Sequence, residues 1–108
     1  MKHTLEFLNP VWHYGENVTV RLGYKWVEKA HEGDVVEIVR TGEPKTIVTG
    51  IITEIRSVLR FTQVNIQDLW YEHDPECRVP DGLVKAMLRA YPDFTLDSPV
   101  TIMQFCIK

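Results

Sequence analysis

The sequence predicts an α+β fold: a small β-barrel of five or six mostly antiparallel strands with two or three helices packed outside it. Three observations predict it. The first sixty residues are rich in β-branched side chains that alternate with polar ones and are broken by glycine- and proline-containing turns. The pattern turns helical after Phe61. A last β-branched run then follows the helices, and it has to return beside an early strand to bury its apolar side chains.

Each element follows from local pattern. His3 to Phe7 reads as the first strand, and the Asn9-Pro10 to Gly15 stretch interrupts it. Thr19 to Leu22 is the second strand. Val18, Val20 and Leu22 share one face, while Asn17, Thr19 and Arg21 share the other, because successive strand residues point to opposite sides. Gly23 to Glu32 is a loop with a helical turn around Val27 to Ala30. Gly33-Asp34 turns the chain into a third strand, Val35 to Arg40. Thr46 to Arg60 is one long bent strand or two short ones, with Gly50 as the expected bulge. A short helix ends near Tyr71, and a proline-bracketed loop covers residues 73–80. Asp81 can cap a helix running to Ala90, with Leu83, Val84, Met87, Leu88 and Tyr91 on one stripe. Val100 to Ile107 is the closing strand.

Composition bounds the function. The chain has 108 residues, 44% hydrophobic and 25% charged, which suits a single domain over 1–108 with its own core. The net charge of -3 argues against indiscriminate electrostatic binding to duplex nucleic acid. No apolar run approaches the ~20 residues that span a bilayer, and the first residues hold no secretory apolar core, so a cytoplasmic protein without a membrane partner is expected. Cys77 and Cys106 lack metal-ligand spacing; Cys106, in an apolar run, is expected to be buried, and Cys77, in a polar loop, accessible. His73, Asp74, Glu76 and Cys77 are dense in metal-ligating types but match no known spacing, so neither a metal nor a cofactor is expected.

The candidate site lies on the second strand. Arg21 offers a planar fork of donors, and Thr19 offers a rotatable hydroxyl beside it. The competing reading is an exposed strand pair with Arg21 bridged to Glu16 or Asp34. Trp12 and Trp26 flank this strand and are the best placed aromatics for stacking on a base; their default role is to fill the core or rim of the barrel. Glu76 can handle a proton or bind a base amino group, against the plainer reading of a solvated loop carboxylate. Lys25, Arg21, Arg56 and Arg60 would form a phosphate-binding surface if they converged.

Thr19-Val20-Arg21, Gly33-Asp34-Val35-Val36-Glu37-Ile38, Gly50-Ile51-Ile52-Thr53-Glu54-Ile55, Tyr91-Pro92 and Val100-Thr101-Ile102-Met103-Gln104-Phe105 form an ordered set. This set resembles the ASCH domain family, a branch of the PUA-like β-barrels, over residues 17–105. The resemblance implies a PUA-like barrel with a cleft suited to RNA or modified nucleosides. Some small members of the family are amidohydrolases acting on acetylated cytidine, and others are reported as ribonucleases. The amidohydrolases use a lysine shortly before the threonine-x-arginine strand, that threonine, and a glutamate before the last helix. Thr19 and Glu76 match two of these, but the lysine position, five residues before Arg21, holds Glu16, which speaks against amidohydrolase activity. Lys25 is the candidate substitute.

The expectation is a binding module for single-stranded RNA or a nucleoside or nucleotide, with Thr19, Arg21, Lys25, Trp12, Trp26 and Glu76 around its ligand. A small hydrolase using Thr19, Lys25 and Glu76 is the alternative, and a protein-interaction or regulatory module is the second. The hydrolase needs the Lys25 amine within hydrogen-bond reach of Thr19 or Glu76.

Overall fold

A computed structural model describes residues 1–108. Its strands are β1 (Lys2–Phe7), β2 (Gly15–Leu22), β3 (Val35–Arg40), β4 (Val48–Val58) and β5 (Val100–Ile107), and its α-helices are α1 (Lys25–Lys29) and α2 (Pro80–Ala90). Short 3₁₀ turns at Phe61–Gln63, Ile66–Leu69 and Pro75–Arg78 fill the stretch between β4 and α2. No helix is long and apolar enough to cross a membrane.

The five strands make one mixed sheet in the order β1-β3-β4-β5-β2. The pairs β3–β4, β4–β5 and β2–β5 are antiparallel; β1–β3 is parallel. The α+β class and five-strand count agree with the sequence reading, but the expected barrel closure does not occur. No ladder joins β1 to β2, because the free edge of β2 is already occupied. The Val18 N–H donates to the Tyr71 carbonyl (2.6 Å) and the His73 N–H donates to the Val18 carbonyl (2.9 Å), forming a short parallel bridge. Beyond that bridge, the Arg21 side chain spans to β1 through the Glu6 carbonyl.

The sheet carries apolar clusters on its two faces. Register decides the assignment, since directly paired strand residues face the same way. Val20 lies opposite Ile102, and both join Val18, Val100, Leu83, Met87 and Phe94 on the side covered by α2. Thr19 lies opposite Met103 and Arg21 opposite Thr101, on the side that holds Leu5, Phe7, Ile38, Ile52 and Phe105. Residues 17–20 of β2 are therefore buried on both faces. Asn17 and Thr19 of the polar face are buried and Arg21 is half-buried, against the competing reading of an exposed strand pair.

Several local expectations need correction. The β4 register shift falls between Ile52 and Glu54, not at Gly50. Gly50 serves close packing: a Cβ there would stand 3.1 Å from the Cys106 carbonyl oxygen and 3.2 Å from the Phe105 ring. The two cysteines also exchange roles. Cys77, on the 3₁₀ turn at Pro75–Arg78, is buried in the apolar cluster with Leu83 and Met87, while Cys106 is partly exposed. Helix α2 begins at Pro80, one residue before the expected cap, with Asp81 in its first turn; Leu88 on the expected stripe is exposed.

Candidate functional site

A cavity of about 630 Å³ opens where the bridge between Val18 and residues 71–73 ends and the gap between β1 and β2 begins. Its polar wall comes from Thr19 and Arg21 of β2 and from Glu72, His73 and Asp74. Its apolar wall comes from α2, through Leu83, Ala86 and Met87. Gly82 makes that wall fit: a Cβ at this position would overlap the Glu76 carbonyl oxygen, so only glycine lets α2 seat on the preceding 3₁₀ turn.

The polar segment is held by its own side chains. The Asp74 carboxylate accepts from the Glu76 N–H (3.0 Å) and from the Asn9 amide (3.2 Å), which caps the 3₁₀ turn and ties it to the chain after β1. Asn17, fully buried, clasps the entry to β2: its amide nitrogen donates to the His13 (2.7 Å) and Gly15 (3.1 Å) carbonyls, and its oxygen accepts from the His13 N–H (3.1 Å).

Arg21 is the centre of the wall. Its Nε donates to the Thr19 hydroxyl (3.1 Å) and its Nη1 to the Glu6 carbonyl (2.7 Å). The guanidinium carbon stands 4.7 Å from the centre of the Phe7 ring. On Phe7 also stacks the His73 imidazole, with centroids 4.1 Å apart and planes 16° from parallel. His73 Nε2 lies 3.0 Å from Glu72 Oε1, and Glu72 is 2% exposed. Burial pushes the Glu72 carboxyl above its ordinary pKa, against the opposing pull of His73 and Arg21. Burial likewise pulls the Arg21 pKa below its usual value, opposed by Tyr91 and Glu72.

Two atoms of this wall have no hydrogen-bond partner: Arg21 Nη2 and Glu72 Oε2, both sealed from bulk solvent. One is a donor and the other an acceptor, on opposite charges that do not pair with each other. Native proteins rarely leave buried charged groups in this state, since each costs about 1–3 kcal/mol or more. A polar ligand atom reaching both would remove that cost.

The structure brings together Thr19, Arg21 and Glu76 of the sequence-predicted set, with Glu76 exposed at the cavity rim. It leaves Lys25, Trp12 and Trp26 out of the cavity wall. Lys25 is exposed at the start of α1 and makes no hydrogen bond or ion pair. Trp26 packs beside His3 and under the Lys29 amine (4.0 Å), and Trp12 packs edge-on to Tyr14. The four basic residues do not converge: Arg56 pairs with Asp68 and Glu54 beside a separate pocket of about 230 Å³. Glu16, at the family's lysine position, accepts from Thr53 (2.9 Å) and Gln104 (3.2 Å), away from the cavity.

The sequence reading missed Glu72, His73 as its partner, and Phe7. His73 was read only among metal-ligating types, and no group of metal-ligating residues forms. The one available signal was the adjacency of Glu72, His73 and Asp74 just after the apolar Leu69-Trp70-Tyr71 run.

The crystal structure of an ASCH domain from Lactobacillus crispatus JV V101 superposes on this chain with a TM-score of 0.69, covering 98% of this chain and 79% of that one at 12% identity. The fold is that of an ASCH domain. No family sequence profile and no curated protein matches the chain. At such low identity the ASCH likeness is one of backbone architecture, and the chemistry of the cavity has to be read from its own residues.

Proposed function

We propose that residues 1–108 act as one ASCH-type domain that binds a nucleoside or nucleotide, free or as one unstacked nucleotide of a single-stranded RNA, in the cavity beside β2. The observation that carries this reading is the unpartnered donor–acceptor pair, Arg21 Nη2 and Glu72 Oε2, in a wall facing the apolar side of α2. A nucleobase has matching parts: a polar edge of adjacent donors and acceptors, and flat apolar faces. The cavity volume lies within the range for small ligands of this kind. Trp12 and Trp26 lie outside the cavity wall, which favours one base over a run of stacked bases.

The hydrolase alternative gains no support. The Thr19 hydroxyl accepts from Arg21 Nε and has no neighbouring base to activate it. Lys25 makes no hydrogen bond to Thr19 or Glu76. Burial pushes the Cys77 thiol up to about 12, far from a ready nucleophile. A concave cleft beside Thr19 also weighs against a plain protein-interaction module.

The test is a titration of ¹⁵N-labelled protein with nucleosides, nucleoside monophosphates and short single-stranded RNAs, with Arg21→Ala and Glu72→Gln alongside. Backbone NMR suits it better than tryptophan emission, since Trp12 and Trp26 lie outside the cavity wall and Trp70 is exposed. The reading expects shifts clustered on residues 19–21, 72–77 and 83–87, weakened at least tenfold in both variants. Shifts confined to α1 and the Arg56 side, or binding unchanged in the variants, would overturn it.

A further inference from the structure

We propose that Glu72 and His73 hold a single proton in common, so that the pair, not either residue alone, sets the charge behind the Glu72 Oε2 acceptor in the cavity wall. The inference deepens the ligand reading above and rests on it for its binding consequence only.

The geometry of the imidazole carries the argument. His73 Nδ1 lies 2.8 Å from the Val11 carbonyl oxygen, which can only accept, so Nδ1 carries a hydrogen. His73 Nε2 lies 3.0 Å from Glu72 Oε1. With Nδ1 protonated, a neutral ring would turn the Nε2 lone pair toward a carboxylate. That contact is repulsive and inconsistent with 3.0 Å packing at 2% exposure. A proton must therefore lie between them, on Nε2 as an imidazolium or on Oε1 as a carboxylic acid. Neither residue can leave the arrangement easily. The His73 ring is stacked on Phe7, and Glu72 is pinned by the bridge to Val18 and by Arg78 Nε, which donates to its backbone carbonyl (3.2 Å).

The surrounding charges leave both proton positions accessible. Arg21 from β2 also stands against the Phe7 ring, 4.7 Å from its centre, and favours the carboxylate. Burial favours the neutral acid. Asp74 and Cys77 follow in the same turn, Tyr91 comes from the end of α2, and Glu6 comes from β1. Arg78 also reaches His13 Nδ1 at 3.4 Å. A ligand N–H at Oε2 draws the pair toward carboxylate and imidazolium, and Oε2 stays an acceptor in both proton positions. Once the shared proton is lost, the contact between the two residues is repulsive, and the wall loses its arrangement.

The test begins on the ligand-free protein. Long-range ¹H–¹⁵N spectra of the His73 ring and the ¹³C signal of the Glu72 carboxyl are followed against pH in wild type and in Glu72→Gln. The proposal expects Nδ1 to stay protonated throughout and both nuclei to report the same steps, as coupled groups do. It expects the steps shared with the carboxyl to vanish in Glu72→Gln, whose side-chain amide can donate to Nε2 without titrating. A ring protonated only at Nε2, or Glu72 and His73 signals with unrelated midpoints, overturns it. With uridine 5′-monophosphate as probe, wild-type affinity falls about tenfold per pH unit above the loss of the shared proton. A flat profile across that step overturns the link to binding. No binding at any pH overturns the ligand reading instead and leaves the spectroscopic result to decide the shared proton.

Discussion

Replacing Glu72 with glutamine should make the protein more stable, and only at neutral or alkaline pH. Glu72 Oε2 is buried without a partner, which costs about 1–3 kcal/mol for a neutral polar atom and more for one on an ionised carboxylate, and glutamine removes that extra cost. Glutamine keeps the shape and offers an N–H to His73 Nε2, with its oxygen left as a neutral acceptor. The sign follows from linkage. Glu72 has its carboxyl pKa raised in the folded protein, so the native state holds a proton that the unfolded chain releases near pH 4.5. Wild-type stability therefore falls as pH rises through the window above that value, whereas glutamine does not titrate. The expected gain for Glu72→Gln is about 2 kcal/mol at pH 8, or about 1 M in the urea midpoint for a domain of this size. Near pH 4 the gain should shrink toward zero, because wild-type Glu72 is then protonated too. Urea unfolding of both proteins at the two pH values measures it. A variant less stable than wild type at pH 8, or a difference that does not change with pH, would refute the reasoning. A site that gains stability when its ligand-facing group is removed is a mark of function held against the fold's own interest.

Other expectations follow from the same contacts. Asn17→Ala removes three hydrogen bonds at the entry to β2 and should cost about 3 kcal/mol at ~1 kcal/mol each, read from the urea midpoint; a loss under ~0.5 kcal/mol contradicts the clasp. Gly82→Ala should destabilise by about 3 kcal/mol or prevent folding, because the overlapped atom is backbone and cannot turn aside; a wild-type melting temperature would refute the packing. Asp34 is held down to about 2, first by the His3 hydrogen bond (2.8 Å) and then by the His31 N–H. Its folded pKa is depressed, so its contribution is present at neutral pH and fades as pH falls from about 4 toward 2. Thermal melts of Asp34→Asn should lie below wild type at pH 7 and converge with it near pH 2; parallel curves would sink the assignment.

The strands were legible because their signals are local. Val35–Arg40 and Val100–Ile107 stand where alternation and β-branching place them, and the order of strands, helices and last strand gave the class. Closure was not legible, since it turned on what occupies the outer edge of β2. That occupant, Tyr71 to His73, has no strand pattern and pairs through one bridge only. The cavity was half legible for a related reason. Thr19 and Arg21 stand out on an alternating strand, and their partners lie far away in sequence. Glu6 contributes a carbonyl oxygen, which no side-chain pattern reveals, and Glu72 reads as an ordinary loop acid until burial gives it its character. The tryptophans misled because nearness in sequence to β2 is not nearness to its interior face.

The placement of β5 has a consequence for how the chain comes into being. The last of the five strands to be made lies between β4 and β2, holding together halves that do not otherwise pair. During synthesis, β1, β3 and β4 can meet early, but β2 has to wait with its apolar residues unmatched until Val100 to Ile107 emerges. The cavity wall hangs on β2, so the chain becomes competent to bind only once β5 has emerged. A ribosome-bound nascent chain halted before residue 100 would therefore carry an exposed β2 and be a target for chaperones.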